Sequence, residues 1–373
     1  MTLKLEVDGV PFDTYLSFSV SRSMENFSGS FSMTASDADV KGFPIKLGSL
    51  VKATINGFPV LTGYVEKTSP SIDSGSHSVT IDGRDITADI IDSTLDASSV
   101  EFTPPVTFET VINRVQEAIG TRLKVINNVP GLEPFGAADL VSCKAGDGAF
   151  AFLEKFARKR HVLLNTDGLG NITISRNAET EAPFSIFNDK DGNLLNNVLS
   201  SSASFDNSER FRNYVVVSQG NLTTTPSFGD EPDNDAVVSV KSSIIVDSEI
   251  RQGRSMVIVA EKNSSIEEAI TRAKWEANIR RARSRTYTAK LDGLVMPGTR
   301  EPYPINRLVQ ISDEACSIFS IMLVKSASFS VSADAADTSL EFVNPEAYTL
   351  EQDEPEKKSK AKKKESEIAP EFT

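Results

Sequence analysis

The chain opens with strict alternation of apolar and small polar residues, Leu16-Ser17-Phe18-Ser19-Val20-Ser21, and resumes it after a short break as Phe27-Ser28-Gly29-Ser30-Phe31-Ser32-Met33. Successive side chains of a pleated strand point to opposite faces, so this period predicts half-buried β-strands with every large residue on one side. The other side carries Ser in place of Lys or Glu. Such a face suits close approach by another subunit, and it equally suits plain solvation. Further β-runs follow at 49–55, 58–67 and 76–81. Asn56-Gly57 between the first two predicts a tight hairpin, because both residues tolerate positive φ. Pro44, Pro59 and Pro70 fit edges or loops. Residues 1–99 are therefore expected to form a first antiparallel β-barrel or sandwich.

The pattern changes after Phe102-Thr103-Pro104-Pro105. Over 107–119, Phe108, Val111, Ile112, Val115 and Ile119 share one helical stripe, and Gly120 is a stop signal. A second helix is expected from Asp147, as N-cap, to Arg160, burying Phe150, Leu153 and Ala157 with Lys159 and Arg160 in its last turn. The runs 162–166 and 171–175 then flank Asp167-Gly168-Leu169-Gly170 as a hairpin, making residues 100–178 a small α+β module. Residues 179–350 return to β as a second barrel. Tyr214 to Ser218 is its candidate central strand, 220–235 a polar loop, and 307–311, 317–329 and 340–343 its last strands. A helix at 265–285 interrupts it. Ile266, Ile270, Ala273 and Ala277 lie on one face of that helix, and Trp275, Ile279 and Ala282 on the other, so it is expected to be wedged between two domains or subunits. Arg280, Arg281, Arg283 and Arg285 complement the dipole at its C-terminus. From residue 351 to 373 a low-complexity run around Lys357 to Lys364 predicts a flexible charged tail.

A length of 373 residues exceeds what one core supports, while 39% hydrophobic and 24% charged residues are ordinary for a globular chain. The first residues alternate like a strand and lack a leader's apolar core, and no run is long enough to span a bilayer, so folding in a cytoplasm without a membrane anchor is expected. Cys143 and Cys316 lie far apart and are expected as separate thiols. The formal charge of -13 disfavours sequence-specific nucleic-acid binding.

Enzyme chemistry finds little purchase. There are two histidines, His77 and His161, and neither a Gly-x-Ser-x-Gly elbow nor a phosphate-cradling Gly-rich loop is present. Asp189-Lys190-Asp191-Gly192-Asn193 has the look of a calcium loop. Phe187 stands where the first acidic ligand belongs, however, and Val198 where the closing Glu belongs, so an Asp-Gly turn is expected. In Asp82-Gly83-Arg84-Asp85-Ile86-Thr87-Ala88-Asp89-Ile90-Ile91-Asp92, the carboxylates Asp85 and Asp89 sit beside Arg84 near a helix start. Capping and a structural ion pair are expected there, rather than acid–base catalysis. No catalytic, cofactor-binding or metal-ligating residue is assigned.

The segment Asp82 to Leu95 resembles the corresponding part of the baseplate hub proteins of contractile-tailed phages, the Mu-like hub family. So do Phe150 to Ser175, Thr271-Arg272-Ala273-Lys274-Trp275-Glu276, Pro304-Ile305-Asn306-Arg307-Leu308-Val309 and Asn344-Pro345-Glu346-Ala347-Tyr348. The resemblance spans about residues 1–350. It departs at Tyr303, where a Trp is expected. It implies a non-enzymatic homotrimer in which each subunit supplies two tail-tube-like β-barrels, six barrels surrounding a channel. Such a ring would join the sixfold tail tube, or a tube-initiator protein, to a trimeric central spike. It would contact other baseplate proteins and let genomic DNA pass without specific binding, in a virion assembled in the host cytoplasm. A tail-associated cell-wall hydrolase and a carbohydrate-binding β-protein are the alternatives; for the latter, most Phe residues sit in strand or helix positions rather than in loops.

Overall fold

A computed structural model of the chain describes residues 3–36, 45–72, 77–96, 100–137, 143–160, 162–177, 180–189, 197–219, 239–259 and 266–348. Pro44, His161, the calcium-like run after Asp189, the polar loop at 220–235 and the tail at 351–373 lie outside them.

The first strands are β1 (Leu3–Val7), β2 (Val10–Phe12), β3 (Ser17–Ser23), β4 (Ser30–Ser36), β5 (Leu50–Ile55), β6 (Phe58–Ile72) and β7 (His77–Asp85). The alternation buries Phe18, Val20, Phe31 and Met33 on one side and leaves the serines on the other, as the period requires. Asn56 and Gly57 both have positive φ and close Ile55 onto Phe58. β6 runs to Ile72, past the expected end at Lys67, with Pro70 inside it.

The middle module has α1 (Ala88–Asp92), α2 (Phe108–Ile119), β8 (Val125–Asn127), α3 (Ala149–Lys159), β9 (Leu163–Thr166) and β10 (Ile172–Ser175). Thr107 caps α2 by accepting from the Thr110 N–H, and Gly120 ends it at φ 80°. The start of α3 differs from expectation. Gly148 is the cap, and Asp147 instead accepts from the Lys144 N–H and pairs with Lys155. The buried stripe shifts accordingly to Ala149, Phe152, Leu153, Phe156 and Ala157, and Phe150 turns out to stack on Phe27 at 4.7 Å. These helices and the three-stranded sheet β8-β10-β9 enclose a core of their own, with Phe108, Phe135, Phe152 and Phe156 fully buried.

The last part contains β11 (Glu181–Asn188), β12 (Val198–Phe205), β13 (Asn213–Gln219), β14 (Ser239–Lys241), β15 (Ile245–Val246), β16 (Ser255–Val259), α4 (Ile266–Arg283), β17 (Arg285–Asp292), β18 (Leu308–Asp313), β19 (Ile318–Ser332) and β20 (Ala336–Val343). Within the stretch expected as a second barrel, β13 to β16 form a separate four-stranded sheet. One stripe of α4, Ala269, Ala273 and Ala277, covers that sheet; the opposite one carries Ala282, packed with Leu323, Val343 and Ala347. Both stripes of α4 are thus covered, except that Ile266 at its start is exposed.

All other long strands join one 13-stranded, almost wholly antiparallel sheet, ordered β12-β17-β20-β19-β3-β4-β7-β6-β5-β1-β2, with β18 on β19 and β11 parallel on β18. The fold is mainly β. Both halves of the chain contribute to a single core under this sheet.

Candidate functional site

Two features of the large sheet stand out: a repeated strand plan and a face lined with hydroxyls. The order β3-β4-β7-β6-β5 recurs as β12-β17-β20-β19-β18. The recurrence holds residue by residue. Leu50 opposes Tyr64 as Leu308 opposes Leu323, and each long strand then has a bulge at the same place, Glu66 after Val65 and Lys325 after Val324. The hairpins that follow close alike, Ile72 on His77 and Val331 on Ala336. Phe31 and Tyr287 occupy one equivalent position, opposed by Val20 and Ala203. A third irregularity matches as well: the shift at Leu199 falls where the Leu16 N–H reaches the Thr34 carbonyl.

One seam joins the two units. β3 pairs antiparallel with the second half of β19, from Ser17 opposite Ser332 to Ser23 opposite Ser326. Its Phe18 and Val20 are buried there with Phe329. The equivalent edges carry no strand: among the described residues none pairs with β6 beyond Val65 on that side, and none with the outer edge of β12, where the Ala203 N–H meets the Cys316 sulfur. Both carry exposed apolar side chains, Ile72 at 74% and Phe205 at 57% exposure.

The sheet face opposite the core is a hydroxyl surface. One cross-strand row reads Asp337, Ser330, Ser19, Ser32, Asp82, Lys67. Its charges are matched. Ser32 donates to Asp82 at 2.7 Å, Lys290 pairs with Asp337 at 3.1 Å, and Lys325 with Glu341 at 3.0 Å.

The acidic cluster at Asp82–Asp92 makes structural contacts. Asp85 is buried and accepts from the Thr87 N–H and hydroxyl on one oxygen and from Thr166 on the other. Burial pushes its carboxyl above the ordinary range, although those donors and the Arg22 charge oppose the shift. Arg22 donates to the Thr166 carbonyl at 2.8 Å and Thr62 to that of Gly168 at 3.0 Å, so this group welds the large sheet to the β9-β10 hairpin. Gly168 has φ +83°, and a Cβ there would stand 2.9 Å from the Pro59 carbonyl. The expected ion pair is made, but with other partners: Arg84 binds Glu66 at 2.7 Å and also Asp92, not Asp85. Asp89 is exposed, and its carboxyl is raised by partial desolvation and by Asp92 and Glu66.

Two other buried carboxylates escaped the sequence reading. Asp313, fully buried, accepts from Ser201 (2.7 Å), Tyr287 (2.9 Å), Asn188 (3.2 Å) and the Cys316 N–H (2.8 Å). Burial alone would raise it, but these donors outweigh burial and hold it below the ordinary range. Asp247, under α4, is paired with buried Arg210 at 2.7 Å and with Arg281 at 3.2 Å. The arginines at the end of α4 thus do more than complement its dipole. Cys143 and Cys316 are both free thiols, and no group of three or more metal-ligating side chains occurs among the described residues. No described helix is long and apolar enough to cross a membrane.

Residues 2–85 match the family described as Mu phage baseplate assembly protein GpP-like, N-terminal. The baseplate hub protein gp44 of Escherichia phage Mu is 27% identical over 295 residues, 78% of this chain and 74% of that protein. The 43 kDa tail protein of prophage MuSo2 from Shewanella oneidensis has the same fold at a TM-score of 0.77 and 28% identity, over 93% of this chain and 99% of that one. The tail protein from Neisseria meningitidis MC58 matches at a TM-score of 0.74 and 15% identity, over 94% and 98%. The chain is similar to the baseplate hub proteins of Mu-like phages, and its residues 2–85 match the GpP-like N-terminal family.

Proposed function

We propose that this chain is a structural, non-enzymatic hub of a contractile phage tail baseplate. Three copies close into a ring that joins the sixfold tail tube, or a tube initiator, to a threefold central spike and encloses the path of the DNA. The observation that carries this reading is the duplicated strand plan with one seam made and its two equivalents open. Each chain supplies two tube-like barrel units, so head-to-tail addition of three chains presents six similar units, and a closed rotation leaves neither the β6 nor the β12 edge exposed. The hydroxyl face is the surface such a ring would turn toward its channel. Hydroxyls with matched charges offer a polyanion no cationic foothold, which suits passage of DNA without specific binding. The protein would then reside in the virion tail after assembly in the host cytoplasm, in contact with spike, tube and other baseplate proteins.

Electron microscopy of the purified chain with its spike and tube components tests the reading. The expected outcome is a threefold particle with a central hole. Solitary compact particles under those conditions would overturn it. Neither alternative, hydrolase nor carbohydrate binder, is favoured by a specific feature: both oxygens of Asp85 are engaged by threonines, and the large aromatic cluster of Phe108, Phe135, Phe152 and Phe156 is buried.

A further inference from the structure

The internal seam is a template from which the contact between copies can be written at residue resolution. Because bulges and hairpins coincide in the two units, Phe329 of β19 corresponds to Pro70 of β6, Val331 to Ile72 and Ala327 to Thr68. On the partner strand, Phe18, Val20 and Arg22 of β3 correspond to Ser201, Ala203 and Phe205 of β12.

Backbone direction follows from the same ladder. The Ser332 N–H donates to the Ala335 carbonyl across the hairpin, and the Met24 N–H donates to the Lys325 carbonyl across the seam. Hydrogen-bonded and non-bonded pairs alternate along an antiparallel ladder, so beyond the bulge at Lys325 the residues Ala327, Phe329 and Val331 all turn their N–H groups toward β3. In β6 the corresponding row faces the open edge, and at Phe329's place it has Pro70, which has no N–H. A proline facing outward on an edge strand is a known way to blunt unwanted strand addition.

We propose that β12 of one copy adds to the open edge of β6 in another, with Ser201 opposite Ile72, Ala203 opposite Pro70 and Phe205 opposite Thr68, and that Pro70 keeps this seam one hydrogen bond short. The inference rests on the ring reading above. Closure covers Ile72, as the internal seam covers Val331, and shelters Phe205. The covalently linked seam has a full ladder and a large apolar pair, Val20 against Phe329. The seam between copies has Ala203 against Pro70. The ring is thereby made conditional: free chains meet an edge too weak to polymerise on, and closure depends on a neighbouring component that holds three copies in place.

Sedimentation analysis of the full chain, alone and together with its spike and tube components, tests this with two variants, each checked for native circular dichroism. Pro70→Thr restores the missing donor and should tighten each seam about fivefold, and so the overall ring constant by roughly a hundredfold. Ala203→Pro removes the facing donor, which in the single chain lies against the Cys316 sulfur, while leaving the β12-β17 ladder intact, and should abolish the association seen with the spike and tube components. Tightening by the first variant and loss by the second support the proposal. If Ala203→Pro abolishes association but Pro70→Thr leaves it unchanged or weaker, the gate is overturned while the ring reading stands. Trimers indifferent to both variants overturn the register. A chain that stays monomeric in every variant, even with spike and tube components present, overturns the ring and the proposal with it.

Discussion

The two five-strand units share a backbone plan and fill it by opposite chemistry. In the first, Phe18, Phe31 and Ile55 occupy three neighbouring core positions, all at or below 3% exposure, with the two rings 6.2 Å apart. The register puts Ser201, Tyr287 and Asp313 at the equivalent places in the second. There the hydroxyls of Ser201 and Tyr287 both donate to the Asp313 carboxylate. One unit excludes water with apolar surface; the other buries a charge and satisfies it completely. A sheet scaffold thus tolerates either filling, provided that the buried charge itself is satisfied.

The difference can be probed at matched sites. The largest effect is expected at the seam, where Phe329→Ala should cost about 3–5 kcal/mol in urea unfolding, while Pro70→Ala at the corresponding open site should cost under about 0.5 kcal/mol at concentrations where the chain is monomeric. Equal losses would dissolve the distinction between made and open edges. Next, Asp313→Asn should cost about 1–3 kcal/mol, because the amide cannot accept all the donors aimed at the carboxylate; Ile55→Val at the equivalent place should cost about 0.5–1.5 kcal/mol.

Acid response sharpens the contrast. Asp313 is held below the ordinary carboxylate range, so the folded state binds its proton more weakly than the unfolded chain does. Its contribution is fully present above the unfolded value and disappears as pH falls through the folded one. Asp85, raised by burial, works in reverse: stability declines as pH rises from the ordinary range through its elevated value. Thermal unfolding from pH 3 to 7 should therefore be flatter for Asp313→Asn than for the parent chain on the acid side, and Asp85→Asn should remove the opposing slope. The smallest effect belongs to the half-exposed Arg84 pair: Glu66→Ala should cost about 0.2–1 kcal/mol, and less in high salt.

Period-two alternation exposed β3 and β4 in the bare sequence, and Asn56-Gly57 and the Gly120 stop signal marked their turn and helix without outside help. The start of α3 was misplaced because Asp147 is a good cap by residue type but spends its carboxylate on the Lys144 N–H and Lys155. The repeat was hidden for a physical reason. Side chains as different as Phe18 and Ser201 can occupy one position, and the second unit is interrupted between β12 and β17 by a separate sheet and α4. A signal did exist in the serine alternation at Ser200, Ser202 and Ser204 and again from Ser326 to Ser332, the same rhythm that opens the chain. Tyr303, where the family resemblance expects Trp, is accommodated by a hydrogen bond from Asn197 to its hydroxyl at 2.9 Å and an edge-on contact with Phe184.

The β3-β19 pairing also sets a timetable for synthesis. Ser23 meets Ser326, so roughly 300 residues must be translated before β3 finds its neighbour, about 15–60 s at bacterial elongation rates. Throughout that interval the nascent first half holds Phe18 and Val20 on an uncovered border, and the ribosome-bound chain, not the finished one, is the species most exposed to aggregation and most in need of a chaperone.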